Sequence, residues 1–100
     1  MPQSQGLIDI LLEARQWLAR QDNDFLWSRW EDVSAALAEI DALNSELRSR
    51  SMPPKRDLEM LFAPTGPIQE VSLGSGWGEQ FLGLASRFDA EMAALQWARE

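Results

Sequence analysis

The chain has 100 residues, of which 45% are hydrophobic and 25% are charged, a balance that supports one domain with a packed core. It contains no cysteine and no histidine, which excludes disulfides, thiolate nucleophiles and sites that use imidazole as a base or metal ligand. Sixteen acidic residues against nine basic ones give a net charge of −7, which opposes general binding to nucleic acid and favours basic partners.

The sequence contains no pattern typical of a targeting or membrane-spanning segment. The N-terminal residues MPQSQGLID lack the basic segment and long apolar run of a signal peptide. No stretch approaches the roughly 20 apolar residues that a membrane span needs. We therefore expect a cytoplasmic protein with no membrane or nucleic-acid partner, folded as a single helical domain over residues 1–100 behind a disordered N-terminus at residues 1–5.

The first predicted helix covers residues 7–20. Its apolar residues form two adjacent stripes with the 3.6-residue period of a helix, so it is expected to contact more than one neighbour. The polar break that follows, Asp22-Asn23-Asp24, resembles the start of a calcium loop. The required glutamate is missing, because Val33 occupies the twelfth position of such a loop. A helix-capping turn, rather than a metal site, is predicted here.

The second predicted helix has two competing starts. Asp24 can serve as its N-cap, and Ser28 with Glu31 three residues later forms an alternative capping box. The helix then continues to about residue 50 with a heptad pattern of apolar residues, interrupted by one polar position, Asn44. The heptad positions are Leu26, Trp30, Val33, Leu37, Ile40, Asn44 and Leu47.

The second half of the chain is expected to contain a short helix, an irregular loop and a long helix. Consecutive prolines end the second helix within a linker at residues 51–54. The short helix covers residues 55–62, and a loop rich in glycine and proline covers residues 63–78. Within that loop, residues 68–73 form at most one short strand or hairpin. The last helix begins near Glu79, and its apolar stripe consists of Phe81, Leu84 or Ala85, Phe88, Met92 and Leu95.

These elements predict a mainly all-α fold class. The expected architecture is an antiparallel bundle of three long helices plus one short helix. The Gly/Pro-rich loop is expected to cross one end of the bundle or to lie along a groove.

The stretch Gly74-Ser75-Gly76-Trp77-Gly78 suggests a phosphate site, because anions bind at helix N-termini that follow glycine-rich loops. Its glycines, however, follow the spacing G-x-G-x-G rather than G-x-G-x-x-G, and no Lys-Ser or Lys-Thr pair follows. Glu79 in the first helical turn would also repel a phosphate. A tight entry to the last helix is favoured, and a weak anion or small-molecule site at residues 74–78 stays an alternative.

The carboxylates of the chain do not form a catalytic set. Asp9 and Glu13 share one helix face at i, i+4 spacing, and paired carboxylates can act as acid and base. A two-metal site on helices also needs histidine, which the chain lacks. The acidic residues fall at outward positions, as on a solvated face. We therefore predict no enzymatic activity, no catalytic or metal-binding residue and no cofactor.

The five tryptophans are many for a domain of this size. Trp30 falls on the heptad pattern and is expected in the core. Trp17, Trp27, Trp77 and Trp97 are harder to bury together, and partly exposed aromatic residues often anchor interfaces. Packing over the edges of a thin bundle is an equally compatible interpretation. The predicted interaction surface consists of Trp77, Glu70, Glu79, Trp97 and Trp17.

The segment from Leu61 to Leu73 follows the pattern L-F-x-x-x-G-x-I-x-E-V-x-L. The matching residues are Leu61, Phe62, Gly66, Ile68, Glu70, Val71 and Leu73. With two helices before it and one after it, this layout resembles that of small uncharacterised bacterial proteins from toxin–immunity neighbourhoods. The chain departs from that pattern in having Ala-Pro-Thr before the glycine and in its GSGWG insertion. The resemblance implies a stoichiometric binding protein, with an inhibitor of a basic toxin as one form.

Besides the weak anion or small-molecule site at residues 74–78, two functions follow from these patterns. The favoured one is a non-enzymatic, immunity-like protein-binding module that binds a basic partner through an acidic face and the loop at residues 63–78, which displays Trp77. The alternative is a homodimeric structural or accessory protein, in which the heptad pattern and Trp97 mediate self-association. The expected partner is thus another protein or a second copy of the chain.

Overall fold

The computed structural model describes residues 5–26, 28–49, 53–63 and 66–95, and most of these are helical. The helices are α1 (Gln5–Leu18), α2 (Val33–Arg48), α3 (Lys55–Phe62), α4 (Pro67–Ser75) and α5 (Gly78–Ala94). The prediction of a mainly α-helical fold is confirmed. No strand occurs within these ranges, so the short strand or hairpin predicted at residues 68–73 is wrong.

Helix α1 lies at the centre of the molecule. Its apolar residues occupy a wide face, as its two sequence stripes predict, and α1 contacts α2, α4 and α5. The buried residues of α1 are Leu7, Ile8, Ile10, Leu11, Ala14 and Leu18. They belong to one apolar core to which every helix contributes. Burial of this many large side chains on one helix is the main source of stability for a domain of this size.

Helix α2 begins later than either predicted start. Its N-cap is Asp32, whose carboxylate accepts a hydrogen bond from the Ala35 N–H at 2.9 Å. Asp24 and Ser28 instead shape turns before the helix, because each accepts a hydrogen bond from the backbone N–H two residues later. Both predicted helix starts are therefore wrong. The heptad pattern consequently stops short of Leu26, whose side chain is 74% exposed.

Helix α4 replaces much of the loop predicted at residues 63–78. Pro67 occupies the start of the helix, where its fixed φ fits and its missing N–H costs nothing. Ile68, Val71 and Ser72 are buried at i, i+3 and i+4, the spacing of one helix face. This spacing is the reason that residues 68–73 fail to alternate as a strand would. Only two residues then separate α4 from α5.

The other predicted boundaries are partly corrected. Residue Gln5 begins α1 rather than belonging to a disordered terminus, while residues 1–4 lie outside the described residues. In the proline linker, Pro53 is buried and Pro54 is the N-cap residue of α3, and residues 51–52 are not described. Helix α3 has the predicted bounds, and Leu58, Leu61 and Phe62 are buried as expected. The apolar stripe predicted for α5 is confirmed at Phe81, Leu84, Phe88 and Met92.

Gly76 ends α4 in the left-handed conformation, with a φ of 87°. The next residue, Trp77, donates its backbone N–H to the Ser72 carbonyl at 3.0 Å, which closes the helix end. Side chains with a Cβ adopt this conformation at a cost. Glycine is therefore required at this junction.

We expect Gly76→Ala to lower the free energy of unfolding by about 1 kcal/mol, because alanine is strained at positive φ. Gly83→Ala is the matched control. Gly83 is exposed within α5, and an added Cβ would meet no atom within 4 Å. Its replacement should raise the free energy of unfolding by about 0.5–1 kcal/mol through helix propensity. Urea unfolding measures both variants, and a stabilising Gly76→Ala would contradict the assignment of the turn.

Candidate functional site

An apolar groove runs between α3, α4 and α5, and we call it the α3–α5 groove. Its main part has a volume of about 560 Å³. A second depression of about 500 Å³ continues it between α4 and α5, and the two parts share Gln69, Phe81 and Leu82. The apolar residues that line the main part are Phe62, Ala63, Phe81, Leu82, Ala85, Phe88, Met92 and Ala93.

The floor of the groove is built from phenylalanine rings. The Phe62 ring is stacked on the Phe88 ring with centroids 4.2 Å apart, and its centroid lies 6.4 Å from that of Phe81. All three side chains are at least nine-tenths buried. Stacked rings in a closely packed core have few alternative rotamers. The floor is thus a preformed apolar surface that joins α3 to α5.

Two leucines project at the second depression. Leu73 is 65% exposed and Leu82 is 63% exposed, and both line this part of the groove. A single exposed leucine is ordinary on a protein surface, but neighbouring ones beside an apolar depression are typical of an interaction site. Leu73 belongs to α4 and Leu82 to α5. The junction at Gly76 therefore determines how the two side chains are placed relative to each other.

The rim of the groove carries more negative than positive charge. Glu59 and Asp89 line its main part and Glu79 lines the second depression. All three carboxylates are exposed. Lys55 is the basic residue among those that line the groove. The rim therefore has the same sign of charge as the chain as a whole, which carries −7.

Trp77, which the sequence predicted at the interaction surface, lies in the core. Its side chain is 1% exposed and is stacked on Trp17 with centroids 5.3 Å apart. Its indole N–H donates to the Asn23 side-chain carbonyl at 2.8 Å. The prediction that a loop displays Trp77 is wrong: the ring is buried against Trp17, and Asn23 satisfies its one polar atom.

Asn23 connects the end of α1 to the α4–α5 junction. While its carbonyl accepts from Trp77, its amide donates to the carbonyls of Trp17, Leu18 and Arg20 at 2.7, 2.9 and 3.2 Å. Carbonyls at the C-terminal end of a helix lack the usual donor four residues later; the Trp17 carbonyl also accepts from the Arg20 N–H at 3.4 Å. The predicted capping role of the turn at residues 22–24 is confirmed at this residue.

The other predicted interaction residues are dispersed. Trp17 is half-buried in its stack with Trp77, and the Arg20 guanidinium lies 5.1 Å from the centroid of its ring. Glu70 is half-buried in the first turn of α4, whereas Glu79 is exposed in the first turn of α5 and lines the groove. Trp97 lies outside the described residues, as does Trp27.

The sequence predictions missed the residues that form the groove. Leu73 falls in the segment interpreted as a strand, where its exposure could not be inferred. Leu82 follows Phe81 directly and lies off the buried stripe of α5, which is a signal that the sequence does carry. That α3 and α5 lie next to each other is a result of tertiary packing, so no local sequence pattern indicates it.

Three of the acidic residues on the helices, Glu13, Glu39 and Asp41, pair with arginines. Arg87 hydrogen-bonds Glu13 across α5 and α1, and this contact holds the pKa of the Glu13 carboxyl below its ordinary value. Arg15 lowers the pKa of Asp41 in the same way between α1 and α2. A carboxylate held ionised by a guanidinium is a poor proton donor near neutral pH. These pairs act as exposed links between helices, and solvent screening keeps their contribution to stability small.

Glu39 has a more sheltered pair. It accepts hydrogen bonds from the Arg29 guanidinium and, at 3.1 Å, from the Trp30 indole N–H. The Arg29 contact is the larger cause of its lowered pKa, and the Trp30 bond acts in the same direction. Trp30 itself is buried, as the heptad pattern predicts. The pair therefore secures the segment that precedes α2.

No family model, curated protein or solved structure matches this chain. Within the described residues, no group of three or more carboxylates is arranged to hold a metal ion. No helix in the described ranges is long and apolar enough to cross a membrane.

Proposed function

We propose that this chain is a non-enzymatic protein-binding module that holds its partner in the α3–α5 groove. The observation that carries the proposal is the pair of exposed leucines, Leu73 and Leu82, beside a floor of stacked phenylalanines. Interfaces combine such apolar anchors at the centre with a charged rim at the edge. The rim carboxylates of the groove supply the second part of that arrangement.

The charge of the module favours a basic partner. A net charge of −7 raises the rate at which a positively charged protein encounters this surface, especially at low salt. One protein of this kind is an immunity-like inhibitor of a basic toxin. The segment from Leu61 to Leu73 suggests it by resemblance. A cytoplasmic location and an antiparallel arrangement of α1, α2 and α5 belong to the same proposal. Helix α1 contacts both α2 and α5, as such a bundle requires.

A homodimeric accessory protein is the competing function, and the exposed leucines would also suit it. The charge distribution disfavours it, because a symmetric contact through the groove would place the rim carboxylates of one copy against those of the other. Light scattering at high micromolar concentration separates the two proposals. A monomer supports binding of a different protein, and a dimer supports self-association.

Selection from a random peptide library tests whether the groove binds proteins. We expect selected peptides to bind the wild-type chain. Leu82→Gln should lower their affinity tenfold or more, because burial of one leucine contributes about 1.5–3 kcal/mol. Leu26→Gln is the matched control, since Leu26 is also exposed but does not line the groove. Fluorescence anisotropy measures the affinities. Equal affinities for the two variants would refute the groove as the binding site.

A further inference from the structure

The α3–α5 groove has the length of a short helix. Its lining residues on α5 extend from Gly78 to Ala93, which corresponds to about 22 Å at a rise of 1.5 Å per residue. A docked helix of four turns covers the same distance. A partner helix can therefore place successive apolar anchors along the whole groove.

The backbone around the groove favours a helix over an extended peptide. Strand addition needs a sheet edge with unpaired N–H and C=O groups, and the described residues contain no strand. Recognition of proline-rich peptides uses aromatic side chains that line an open groove. Here the aromatic rings of the floor are nearly buried. An amphipathic helix needs only an apolar surface and a polar rim, and both are present.

The rim determines the charge of that helix. The charged residues that line the groove are three acidic ones, Glu59, Glu79 and Asp89, and one basic one, Lys55. Basic residues beside the apolar face of the partner would lie against these carboxylates, whereas acidic ones would be repelled. A second copy of this chain would bring its own net charge of −7 to the same rim. Charge complementarity thus selects a basic partner over self-association.

We infer that the occupant of the α3–α5 groove is a basic amphipathic α-helix of another protein, an inference that rests on the proposed function. The helix presents apolar residues at spacings of three and four over four turns, and these residues contact the exposed Leu73 and Leu82 above the nearly buried phenylalanine floor. Lysine or arginine residues flank that apolar face and lie opposite the rim carboxylates.

Four labelled peptides of 16 residues test this inference with the full-length chain. The first is a designed basic amphipathic helix; the second carries glutamate in place of its basic residues; the third has two central prolines; the fourth has its apolar residues scrambled. We expect the basic helix to bind with micromolar affinity. The other three should bind at least tenfold more weakly, because charge, helicity and the apolar face are each required.

A pair of charge reversals locates the contact on the protein. Asp89→Lys should weaken the basic peptide about fivefold and should reduce the salt dependence of its affinity. Glu46→Lys makes the same change of net charge at an exposed position of α2 that does not line the groove. It should change the affinity less than twofold.

The outcomes separate this inference from the proposed function. One outcome is that the acidic or proline-containing peptide binds as tightly as the basic helix and loses affinity in Leu82→Gln. In that case the groove binds proteins but the inferred partner is wrong. If Asp89→Lys and Glu46→Lys weaken the basic peptide equally, the specific role of the rim is wrong. If neither designed nor library-selected peptides bind in the groove, both the inference and the proposed function fail.

Discussion

Replacement of Trp77 with alanine is expected to lower the free energy of unfolding by about 3–5 kcal/mol. The side chain is almost completely buried, so its removal leaves a cavity where α1 meets the α4–α5 junction. It also leaves the Asn23 carbonyl without its donor. Small domains are stable by about 5–15 kcal/mol in total, so this loss is a large fraction of the whole. Urea unfolding followed by circular dichroism measures it.

Two further variants keep this prediction testable if the alanine variant does not fold. Trp77→Phe retains an aromatic ring against Trp17 but loses the indole N–H, and it should cost about 1–3 kcal/mol. Trp17→Ala removes the other ring of the stack, which is half-buried, and should cost less than Trp77→Ala. A loss below 1 kcal/mol for Trp77→Ala would contradict the core position of this residue.

The same variants distinguish the core position of Trp77 from the surface position that the sequence suggested. Since Trp77 does not reach solvent, Trp77→Phe should change peptide affinity less than twofold while it lowers stability. Leu82→Gln should do the reverse, because Leu82 is exposed and contributes little to the core. A strong loss of binding in folded Trp77→Phe would restore the original interpretation.

Three helices were predictable because their patterns are redundant. In α1 the apolar positions recur over the whole helix, so a shift of one boundary leaves the buried face unchanged. The same holds for the stripe of α5, and the short α3 is bounded by prolines on one side. In each case local propensity and burial indicate the same structure.

The start of α2 and the existence of α4 were not predictable in the same way. Asp24, Ser28 and Asp32 are all good N-cap residues, and the hydrogen bond from the Ala35 N–H to the Asp32 carboxylate shows which one is used. In α4, the β-branched residues Ile68 and Val71 favour a strand locally, but tertiary packing places them on one helix face. Local preference was overridden by burial in α4.

The candidate site was less predictable than the fold. Glu79, which the sequence predicted at the interaction surface, is exposed, but Trp77 was placed outside and Leu82 was overlooked. Composition indicates that a small domain has too many tryptophans to bury, yet it carries no information on their partners. One asparagine, Asn23, makes the burial of Trp77 possible, and its contact spans 54 positions in the sequence. Such a pairing has no local signature.

Asn23→Ala is expected to lower the free energy of unfolding by about 2 kcal/mol. Its removal leaves the buried Trp77 N–H without an acceptor and the carbonyls at the end of α1 without their donor. Asn23→Asp should cost at least as much at neutral pH, because a negative charge is unfavourable near the C-terminus of a helix.

Asn44 provides the contrasting experiment. Like Asn23 in the turn after α1, Asn44 in α2 is an asparagine that faces α1. It is 5% exposed, but its side-chain carbonyl is buried without a hydrogen-bond partner among the described residues. Because an unpartnered polar atom costs about 1–3 kcal/mol, Asn44→Leu is expected to raise the free energy of unfolding by about 1–2 kcal/mol. The two asparagine substitutions thus have opposite expected signs, because the Asn23 side chain has hydrogen-bond partners and the Asn44 side-chain carbonyl has none among the described residues. Destabilisation by Asn44→Leu would show that its carbonyl has a partner, such as a buried water molecule.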